Sequence, residues 1–393
     1  MFDPRSILLV IDRTKSNGRE LLKGISSYGR VVKNLRFKII DAEIATELKE
    51  HAFIKYVSQE AKGVSGIIMV ESVYIDSLPD FGVPTILASA SRGFAKGDYL
   101  IQVNNQMVAR EAVKHLVSYG HSYFGYVGLQ DFDWCNARFE HFKQIVENQC
   151  KGLRSFFYEP PGKYTMKEPF RAGMEKWLDS IPKPIGIFAC SDFCGKHVIE
   201  ACKRLDIKVP DEVSVLGVDN DDLICNFTTP TLSSINLKTR DCGFEAAKLL
   251  VKLMDGEKCP PATLHVEPGR ISVRQSTDFI AVGDQSVAKA LRFIRDNVML
   301  PIQTEDVCDE VCCSRQFLYN KFKRHLKCSV HDYIRRCRIR KICELLIETN
   351  MTISEIAYKM HFPDPDHVSR YFKKQKGISP TQYRRDLRTE RTG

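Results

Sequence analysis

No apolar run in this sequence of 393 residues is long enough to cross a bilayer. Runs such as GIIMV at 66–70 and IGIFAC at 185–190 fall far short of the roughly 20 apolar residues that a transmembrane helix needs. The start, MFDPRSILLVID, has a short apolar run without a small-residue cleavage site, which is atypical of a signal peptide. We therefore expect a cytoplasmic protein that has no membrane partner.

The sequence also lacks the motifs that mark several large enzyme classes. It contains no GxxxxGK(S/T) phosphate loop, no HExxH zinc motif and no GxSxG elbow with plausible catalytic partners. We therefore expect a protein that is not an enzyme and that needs no cofactor. The alternative is a glycosidase or sugar isomerase, because carboxylates at strand ends can serve acid–base catalysis.

Cysteine is plentiful, but its spacing is not that of a zinc site. The 14 cysteines lie inside apolar-periodic segments of a chain without an export signal, so we expect reduced and mostly buried thiols. The densest group, Cys308, Cys312, Cys313 and Cys328, is not arranged as paired CxxC. Cys308 and Cys312 fit adjacent turns of one helix, and we expect no metal site.

The net charge of +9 is unevenly distributed along the chain. From Asp284 to the end, 22 lysines and arginines face 14 acidic residues, whereas the first 283 residues hold 36 against 35. The positive balance therefore belongs almost wholly to the C-terminal segment. This distribution indicates a polyanion, such as nucleic acid, as the partner of that segment alone.

Short apolar runs alternate with helical patterns over residues 6–280, which predicts βαβ units and parallel sheets. From Val287 onwards the pattern is helical throughout. We therefore predict an α/β domain over 1–278, a linker over 279–286 and an all-α domain over 287–393. The predicted strands are 6–11, 37–40, 66–70, 84–89, 101–103, 123–129, 154–159, 184–190 and 213–219.

The all-α segment contains two helix-turn-helix patterns in tandem. In the first, we expect Thr304 to cap the supporting helix and Ser314 to cap the second helix. Leu318 and Phe322 lie four residues apart and should face the core. The residues expected to point outward, where a reading helix meets base edges, are Arg315, Gln316, Tyr319, Asn320 and Lys323.

The second pattern repeats this layout, with 353–360 as the supporting helix and 366–375 as the reading helix. A helix over 331–348 would separate the two units by about 27 Å, which can set the reading helices roughly one DNA turn apart. A helical bundle with a solvated basic face would explain the charge but not the repeated layout. The apolar side of the second reading helix consists of Val368, Tyr371 and Phe372. The residues expected to face outward are Ser369, Arg370 and Lys373.

Residues 287–388 resemble the AraC/XylS family of transcription regulators. The resemblance includes the ending pattern GISPTQYRR at 377–385 and the triplet EIA at 355–357. The family usually has a left-handed glycine in each turn, where this chain has Cys313 and His361. The resemblance implies a domain that binds two successive major-groove turns of promoter DNA.

Residues 101–129 and 207–235 resemble the sugar-binding core of LacI-type repressors, which has two lobes of the periplasmic-binding-protein type that close around a ligand. A polyol site needs polar groups and an aromatic wall, and ends of parallel strands supply such groups. Strand-end Asp and Asn also form turns and helix caps, so a structural role is the alternative. The candidates at strand ends are Asp12, Glu71, Asn104, Asn105, Asp192 and Asp219. The resemblance adds Arg138, in the place of a ligand-binding arginine, with Trp134 just before it.

Together the two resemblances imply a sugar-responsive bacterial transcription regulator. The expected effector is D-xylose or a similar monosaccharide. The expected partners are double-stranded promoter DNA, a second copy of the chain and, because the AraC family mostly activates, RNA polymerase. The alternatives are a regulator of another sugar pathway and an architectural DNA-binding protein without a small ligand.

Overall fold

The chain divides into two compact units, Met1–Phe279 and Ile280–Gly393. The first unit is α/β and the second is helical over its described residues, which confirms the predicted fold class. Residues 279–283 of the predicted linker lie outside the described residues, so the domain boundaries stay a prediction. The computed structural model describes residues 5–32, 34–41, 48–70, 78–88, 99–119, 121–129, 132–149, 154–158, 168–278, 284–326 and 328–385.

Two six-stranded sheets form the two lobes of the first unit. Lobe 1 has the strand order β11-β5-β4-β3-β1-β2, and lobe 2 has the order β12-β10-β9-β8-β6-β7. The strands of lobe 1 are β1 (Arg5–Val10), β2 (Leu35–Ile40), β3 (Gly66–Val70), β4 (Thr85–Ala88), β5 (Tyr99–Val103) and β11 (Thr263–Val266). The strands of lobe 2 are β6 (Tyr123–Val127), β7 (Arg154–Tyr158), β8 (Ile185–Ala189), β9 (Val213–Val218), β10 (Ser233–Leu237) and β12 (Pro268–Ser272).

The chain passes from lobe 1 to lobe 2 after β5, returns after β10 and crosses again after β11. Helices connect several of the parallel strands within each lobe, for example Ser16–Val31 between β1 and β2 and Asp192–Arg204 between β8 and β9. Among the described residues, no helix is both long and apolar enough to span a membrane. The helices of the first unit are α1 (Ser16–Val31), α2 (Glu50–Glu60), α3 (Asn105–Ser118), α4 (Asp133–Gln149), α5 (Glu168–Ser180), α6 (Asp192–Arg204), α7 (Asp222–Phe227) and α8 (Thr239–Met254).

The nine predicted strands are all present, with ends that differ by a few residues. Every residue of β8 and β9 is buried, as expected for parallel strands that are covered on both faces. The sequence did not predict β10, β11 or β12. Three of the four residues of β11 are exposed or half-buried, and β12 pairs antiparallel with β10, so neither strand has the apolar run of a central strand.

The second unit consists of two small helical cores joined by one long helix. The first core contains Leu318 and Phe322, and the second contains Val368 and Phe372; all four are fully buried, which confirms their predicted orientation. The helices of this unit are α9 (Gln285–Asp296), α10 (Thr304–Val311), α11 (Arg315–Leu326), α12 (Val330–Glu348), α13 (Ile353–Lys359) and α14 (Pro365–Lys376).

Arg338, in the middle of α12, ties the two helical cores together. Its side chain donates to the carbonyl oxygen of Leu300 on one side and, at 2.7 Å, to that of Met360 on the other. The guanidinium carbon also lies 4.8 Å from the centre of the Phe362 ring. Burial lowers the pKa of Arg338, yet these acceptors and the aromatic face compensate for lost water.

Helices α1 and α8 pack so closely in lobe 1 that two glycines are required at their contact. A Cβ atom at Gly24 would lie 1.9 Å from the carbonyl oxygen of Arg240. A Cβ atom at Gly243 would lie 2.3 Å from the carbonyl oxygen of Leu21. Both neighbours are backbone atoms, so only a separation of the two helices would make room for a side chain.

Gly243→Ala is therefore expected to destabilise lobe 1, by about 3 kcal/mol or more, the upper part of the range for overpacked sites. Urea unfolding followed by circular dichroism would measure the loss. Glu245→Ala, at an exposed position of the same helix, is the matched control and should change stability by less than about 0.5 kcal/mol. Equal stability of the two variants would show that the helices can separate without cost.

Candidate functional site

Polar side chains of the first unit follow the ends of its parallel strands. Asp12 follows β1, Asp192 follows β8 and Asp219 follows β9. The carboxyl ends of parallel strands are where ligands bind in open α/β sheets. Glu71, which the sequence predicts beside them, lies outside the described residues.

Arg138 supplies the positive charge of this site, and only 3% of its surface is exposed. Its Nε donates to Oδ1 of Asn105 at 3.1 Å, and its Nη1 donates to the carbonyl oxygen of Cys190. The guanidinium carbon lies 5.2 Å from the centre of the Trp134 ring. The structure therefore brings the predicted residues Arg138, Asn105 and Trp134 into one cluster.

Two carboxyl groups of lobe 2, the half-buried Asp219 and the buried Asp192, belong to the same site. Burial raises the pKa of Asp219 to about 6, although the positive charge of Arg138 and a hydrogen bond from Asn17 oppose the rise. Asp192 is 1% exposed, and burial followed by the negative charge of Asp219 raises its pKa well above the usual range. Burial and mutual repulsion therefore disfavour the simultaneous ionisation of Asp192 and Asp219.

Two hydrogen bonds join the lobes beside these carboxyl groups. Asn17 Nδ2 donates to Asp219 Oδ1 at 2.9 Å, and Arg19 Nη2 donates to Asp221 Oδ2 at 2.9 Å. Asn17 and Arg19 lie in the first turn of α1 in lobe 1, whereas the aspartates follow β9 in lobe 2. Sequence reasoning missed Asn17, Arg19 and Asp221. Asn17 and Arg19 lie at the start of the helix that follows β1, and Asp221 is two residues beyond Asp219, so their positions were an available signal.

Asp12 is held by its own loop at the end of β1. Its Oδ1 accepts from the backbone nitrogen of Thr14 at 2.9 Å, and its Oδ2 lies 3.0 Å from Lys15 Nζ. Burial alone would raise the pKa of Asp12, but the hydrogen bonds from Thr14 and the charge of Lys15 lower it overall. The charge of Lys15 also opposes the rise in the pKa of Asp219, so this lysine acts on both carboxyl groups.

Asn104 stands at the crossover after β5, where its side chain has two structural partners. Its Oδ1 accepts from the backbone nitrogen of Met107 at 3.1 Å and caps α3. Its Nδ2 donates to Glu267 Oε1 at 2.9 Å, at the crossover after β11. For Asp192 the alternative of a helix cap does not hold, because Ser191 caps α6.

Helix α11 presents its predicted reading residues to solvent. Ser314 caps it as predicted, with its Oγ accepting from the backbone nitrogen of Phe317 at 3.2 Å. On the outer face, Gln316 Nε2 donates to Asn320 Oδ1 at 3.1 Å, which joins two amides that suit adenine edges. The exposed predicted residues are Arg315, Gln316, Tyr319, Asn320 and Lys323.

The start of α10 differs from the sequence prediction. Gln303, and not Thr304, is the N-cap, and it forms a capping box with Asp306. Thr304 is the first helical residue and is buried, so its side chain packs inwards and does not reach the backbone of the first turn. Burial against the rest of the unit therefore outweighs the higher capping preference of threonine.

The turn of the first helix-turn-helix also differs by one residue from the prediction. The left-handed residue is Cys312, at φ 56°, and not Cys313. Because α10 ends at Val311, the next residue takes the left-handed conformation that commonly follows a helix, and Cys313 N then donates to Cys308 O at 3.0 Å. In the second helix-turn-helix, His361 has a φ of 54°, at the position where the resemblance to the family implies a left-handed residue.

Helix α14 presents a second basic face. Asp364 caps it, and Pro365 occupies its first position, where a missing N–H costs nothing. Arg370 and Lys373 are exposed. Ser369 is half-buried, and its hydroxyl donates to the carbonyl oxygen of Pro365 at 2.9 Å, which leaves mainly its lone pairs for an outside donor.

Comparison with known proteins identifies the same two parts. A periplasmic binding protein-like domain matches residues 113–277, and a helix-turn-helix domain matches residues 307–386. The chain is 30% identical over 313 residues to the xylose operon regulatory protein of Haemophilus influenzae, covering 77% of this chain and 79% of that one. It is 28% identical over 401 residues to the protein of that name from Escherichia coli K12, covering 99% of each.

A solved structure extends this similarity to the fold of nearly the whole chain. It is described as the structure of the xylose-binding transcription activator xylR, with a TM-score of 0.69 and 26% identity. The alignment covers 98% of this chain and 99% of that chain.

Asp219→Asn is expected to weaken the pH dependence of stability. The folded chain keeps the proton of Asp219 up to a pH of about 6, whereas an ordinary aspartate loses it near 3.8. The free energy of unfolding should therefore fall as the pH rises through this window, because the folded state binds more protons than the unfolded state. The substitution should remove up to about 3 kcal/mol of that fall, at about 1.4 kcal/mol per pH unit.

Urea unfolding of wild type and variant, on both sides of the window, would measure this difference. Asp206→Asn replaces a carboxylate that is exposed on lobe 2 and serves as the matched control, with the wild-type slope expected. If Asp219→Asn also keeps the wild-type slope, the ionisation of Asp219 is not linked to folding.

Proposed function

Because the chain belongs to the family of xylose operon regulatory proteins, we propose that it binds D-xylose or a similar monosaccharide and regulates transcription in response. The observation that carries this proposal is the presence, in one chain, of a buried polar site between two lobes and of two exposed basic helices. A sugar-binding protein does not need the basic helices, and a DNA-binding protein does not need the polar site. The similarity to regulators covers almost the whole chain and therefore supports both parts together.

The side chains of the site suit a small polyol. Arg138 keeps guanidinium N–H groups beyond those given to Asn105 and Cys190, and Asp219 offers carboxylate oxygens to sugar hydroxyls. The ring of Trp134 offers an apolar face for sugar C–H groups. We assign Arg138 and Asp219 to the hydroxyl groups, with Asp12, Asn104 and Asp192 as further candidates.

The two exposed helices suit the major groove of DNA. Arg315 and Arg370 carry the fork of donors that pairs with guanine, and Gln316 and Asn320 carry the amides that pair with adenine. Lys323 and Lys373 suit backbone phosphates, whose contacts position a protein but carry no sequence information. We propose that α11 and α14 occupy successive turns of the groove on promoter DNA.

Sugar binding regulates DNA binding only if the sugar prefers one arrangement of the chain over another. The hydrogen bonds from Asn17 and Arg19 to the loop after β9 belong to an arrangement in which the lobes are joined. A sugar between Arg138 and Asp219 would favour that arrangement. Micromolar to millimolar affinity, roughly −8 to −4 kcal/mol, exceeds the 1–3 kcal/mol of typical coupling.

Several further features belong to this proposal. A second copy of the chain would let paired domains gain from effective concentration on DNA. As an activator, the protein would act with RNA polymerase, and it would work in the cytoplasm, where promoter DNA is found. We propose no catalytic function, since the relatives named above are transcription regulators.

Arg138→Gln is expected to weaken D-xylose binding by at least tenfold, because a lost hydrogen bond to a charged group costs about 1.5–3 kcal/mol. Tryptophan fluorescence would follow the titration, and Trp134→Phe would separate the signal of the site from that of Trp177. Arg110→Gln, on the exposed face of α3, is the matched control and should keep wild-type affinity. No saturable response of the wild type to D-xylose, L-arabinose, D-ribose or a hexose would contradict the sugar-binding proposal.

Arg370→Ala and Arg315→Ala are expected to weaken binding to a duplex that the protein selects from a random library. Each loss should be about 1–3 kcal/mol, the cost of one bidentate base contact. Binding to an unrelated duplex should change much less, as measured by fluorescence anisotropy at fixed salt. Lys374→Ala, a neighbouring exposed lysine, should weaken both duplexes alike. Equal losses on both duplexes for the arginine variants would mean that they contact phosphate only.

A further inference from the structure

Arg274 connects the loop of the candidate sugar site to the last residues of the first unit. It follows β12, and its side chain is 9% exposed. Its Nη1 donates to Asn220 Oδ1 at 2.9 Å and to the carbonyl oxygen of Leu232 at 3.0 Å. Its Nε donates to Asn226 Oδ1 at 3.1 Å. One guanidinium group therefore holds three points of the segment that follows β9.

Asn220 is the residue between Asp219 and Asp221, so this contact reaches directly into the candidate site. Its backbone is left-handed, with a φ of 49°. Its backbone nitrogen donates to Ser234 Oγ at 2.9 Å, which holds this residue against β10. A movement of Asp219 or Asp221 on ligand binding must therefore move Asn220 or break its bond to Arg274.

The backbone of residues 274–277 is fastened to lobe 2 by buried hydroxyl groups. Ser233 Oγ accepts from Arg274 N at 2.7 Å, and Ser276 Oγ donates to the carbonyl oxygen of Val215 at 2.6 Å. Thr277 Oγ1 lies 3.0 Å from His115 Nε2. Because Ser276 and Thr277 are fully buried, the last residues of the first unit belong to the same lobe as the site loop.

A second set of contacts lies at the start of the second unit. Asp284 caps α9, with its Oδ1 accepting from the backbone nitrogen of Ser286 at 3.1 Å. Its Oδ2 pairs with Lys321 and lies 3.8 Å from His325 Nε2. The hydrogen bond from Lys321 lowers the pKa of Asp284 and keeps it charged. Both basic partners belong to α11, the first reading helix.

We propose that Arg274 and Asp284 are positioning residues that carry the state of the sugar site to the first reading helix. Arg274 transmits a shift of the loop 219–222 to residues 274–277, and Asp284 fastens the other end of the connecting chain to α11. In the sequence, residues 278–283 join these two ends. The inference rests on the proposed function and adds the route of its regulation.

The alternative is that Arg274 only stabilises the packing of lobe 2. The two possibilities differ in what a substitution changes. A purely structural residue affects folding and sugar affinity but leaves the ratio of operator affinities with and without sugar unchanged. A coupling residue changes that ratio while the DNA-free protein still binds sugar, because coupling is a property of two sites and not of either one.

Three variants of the full chain remove the proposed contacts with little change elsewhere. Arg274→Gln deletes the guanidinium, and Asn220→Gly deletes its acceptor while glycine keeps the left-handed backbone. Asp284→Asn removes the charge that attracts Lys321 but retains an N-cap, since asparagine caps helices well. Arg204→Gln, which removes an exposed arginine paired with Glu175 on lobe 2, is the matched control.

The experiment measures the dissociation constant of a library-selected operator duplex with and without saturating D-xylose, and the D-xylose affinity of the DNA-free protein. For wild type and Arg204→Gln we expect the operator constants to differ by about 5- to 150-fold. For the three variants we expect that ratio to fall below about 2 while D-xylose affinity stays within about threefold of wild type.

If a variant that still binds D-xylose keeps the wild-type ratio of operator dissociation constants, the contact that this variant removes has no role in coupling. If both Arg274→Gln and Asp284→Asn keep that ratio, the whole inference is wrong. Equal loss of coupling in Arg204→Gln would also overturn it, since the effect would not be specific to these contacts. A wild-type protein that does not bind D-xylose at all would instead contradict the proposed effector, and the inference with it.

Discussion

A guanidinium group buried inside a protein is stable only when acceptors and negative charges surround it. Arg138 meets this requirement with groups from separate parts of the chain: Asn105 at a crossover, the carbonyl of Cys190 after β8, and the nearby charge of Asp219 after β9. The strand ends must therefore converge on one point. The same convergence leaves a polar, partly unsatisfied cluster, which is what a hydroxyl-rich ligand would complete.

The connections between the lobes decide how this cluster can respond. The chain crosses after β5, β10 and β11, and the crossovers are tied to one another, because Asn104 donates to Glu267 and the backbone nitrogen of Lys238 donates to the carbonyl of Glu267 at 2.9 Å. A tied hinge permits rotation of one lobe against the other without separate movement of each strand. Besides these crossovers, Asn17 and Arg19 of lobe 1 hold the loop after β9.

The parts of the fold with strong local patterns could be predicted from the sequence. Strand β9, a mostly apolar run that is buried throughout, and the core positions Leu318 and Phe322 follow patterns that the sequence shows locally. The partners of Asp219 could not be predicted, because Asn17 lies 202 residues away and no local pattern encodes that pairing. The cap at Gln303 was missed for a related reason: tertiary burial of Thr304 decides where α10 begins. The structure brings together four residues that the sequence predicted: Arg138, Asn105, Trp134 and Asp219. Their role as ligand contacts is a proposal.

The coupling between the sugar site and the DNA-reading helices is reciprocal by thermodynamic necessity. It is tested most directly by calorimetric titration of the full chain with D-xylose, first alone and then in complex with a selected operator duplex. We expect the operator to tighten D-xylose binding by the same factor, about 5- to 150-fold, by which D-xylose tightens operator binding. The same D-xylose affinity with and without operator would contradict a regulator of this kind, even if each ligand binds on its own.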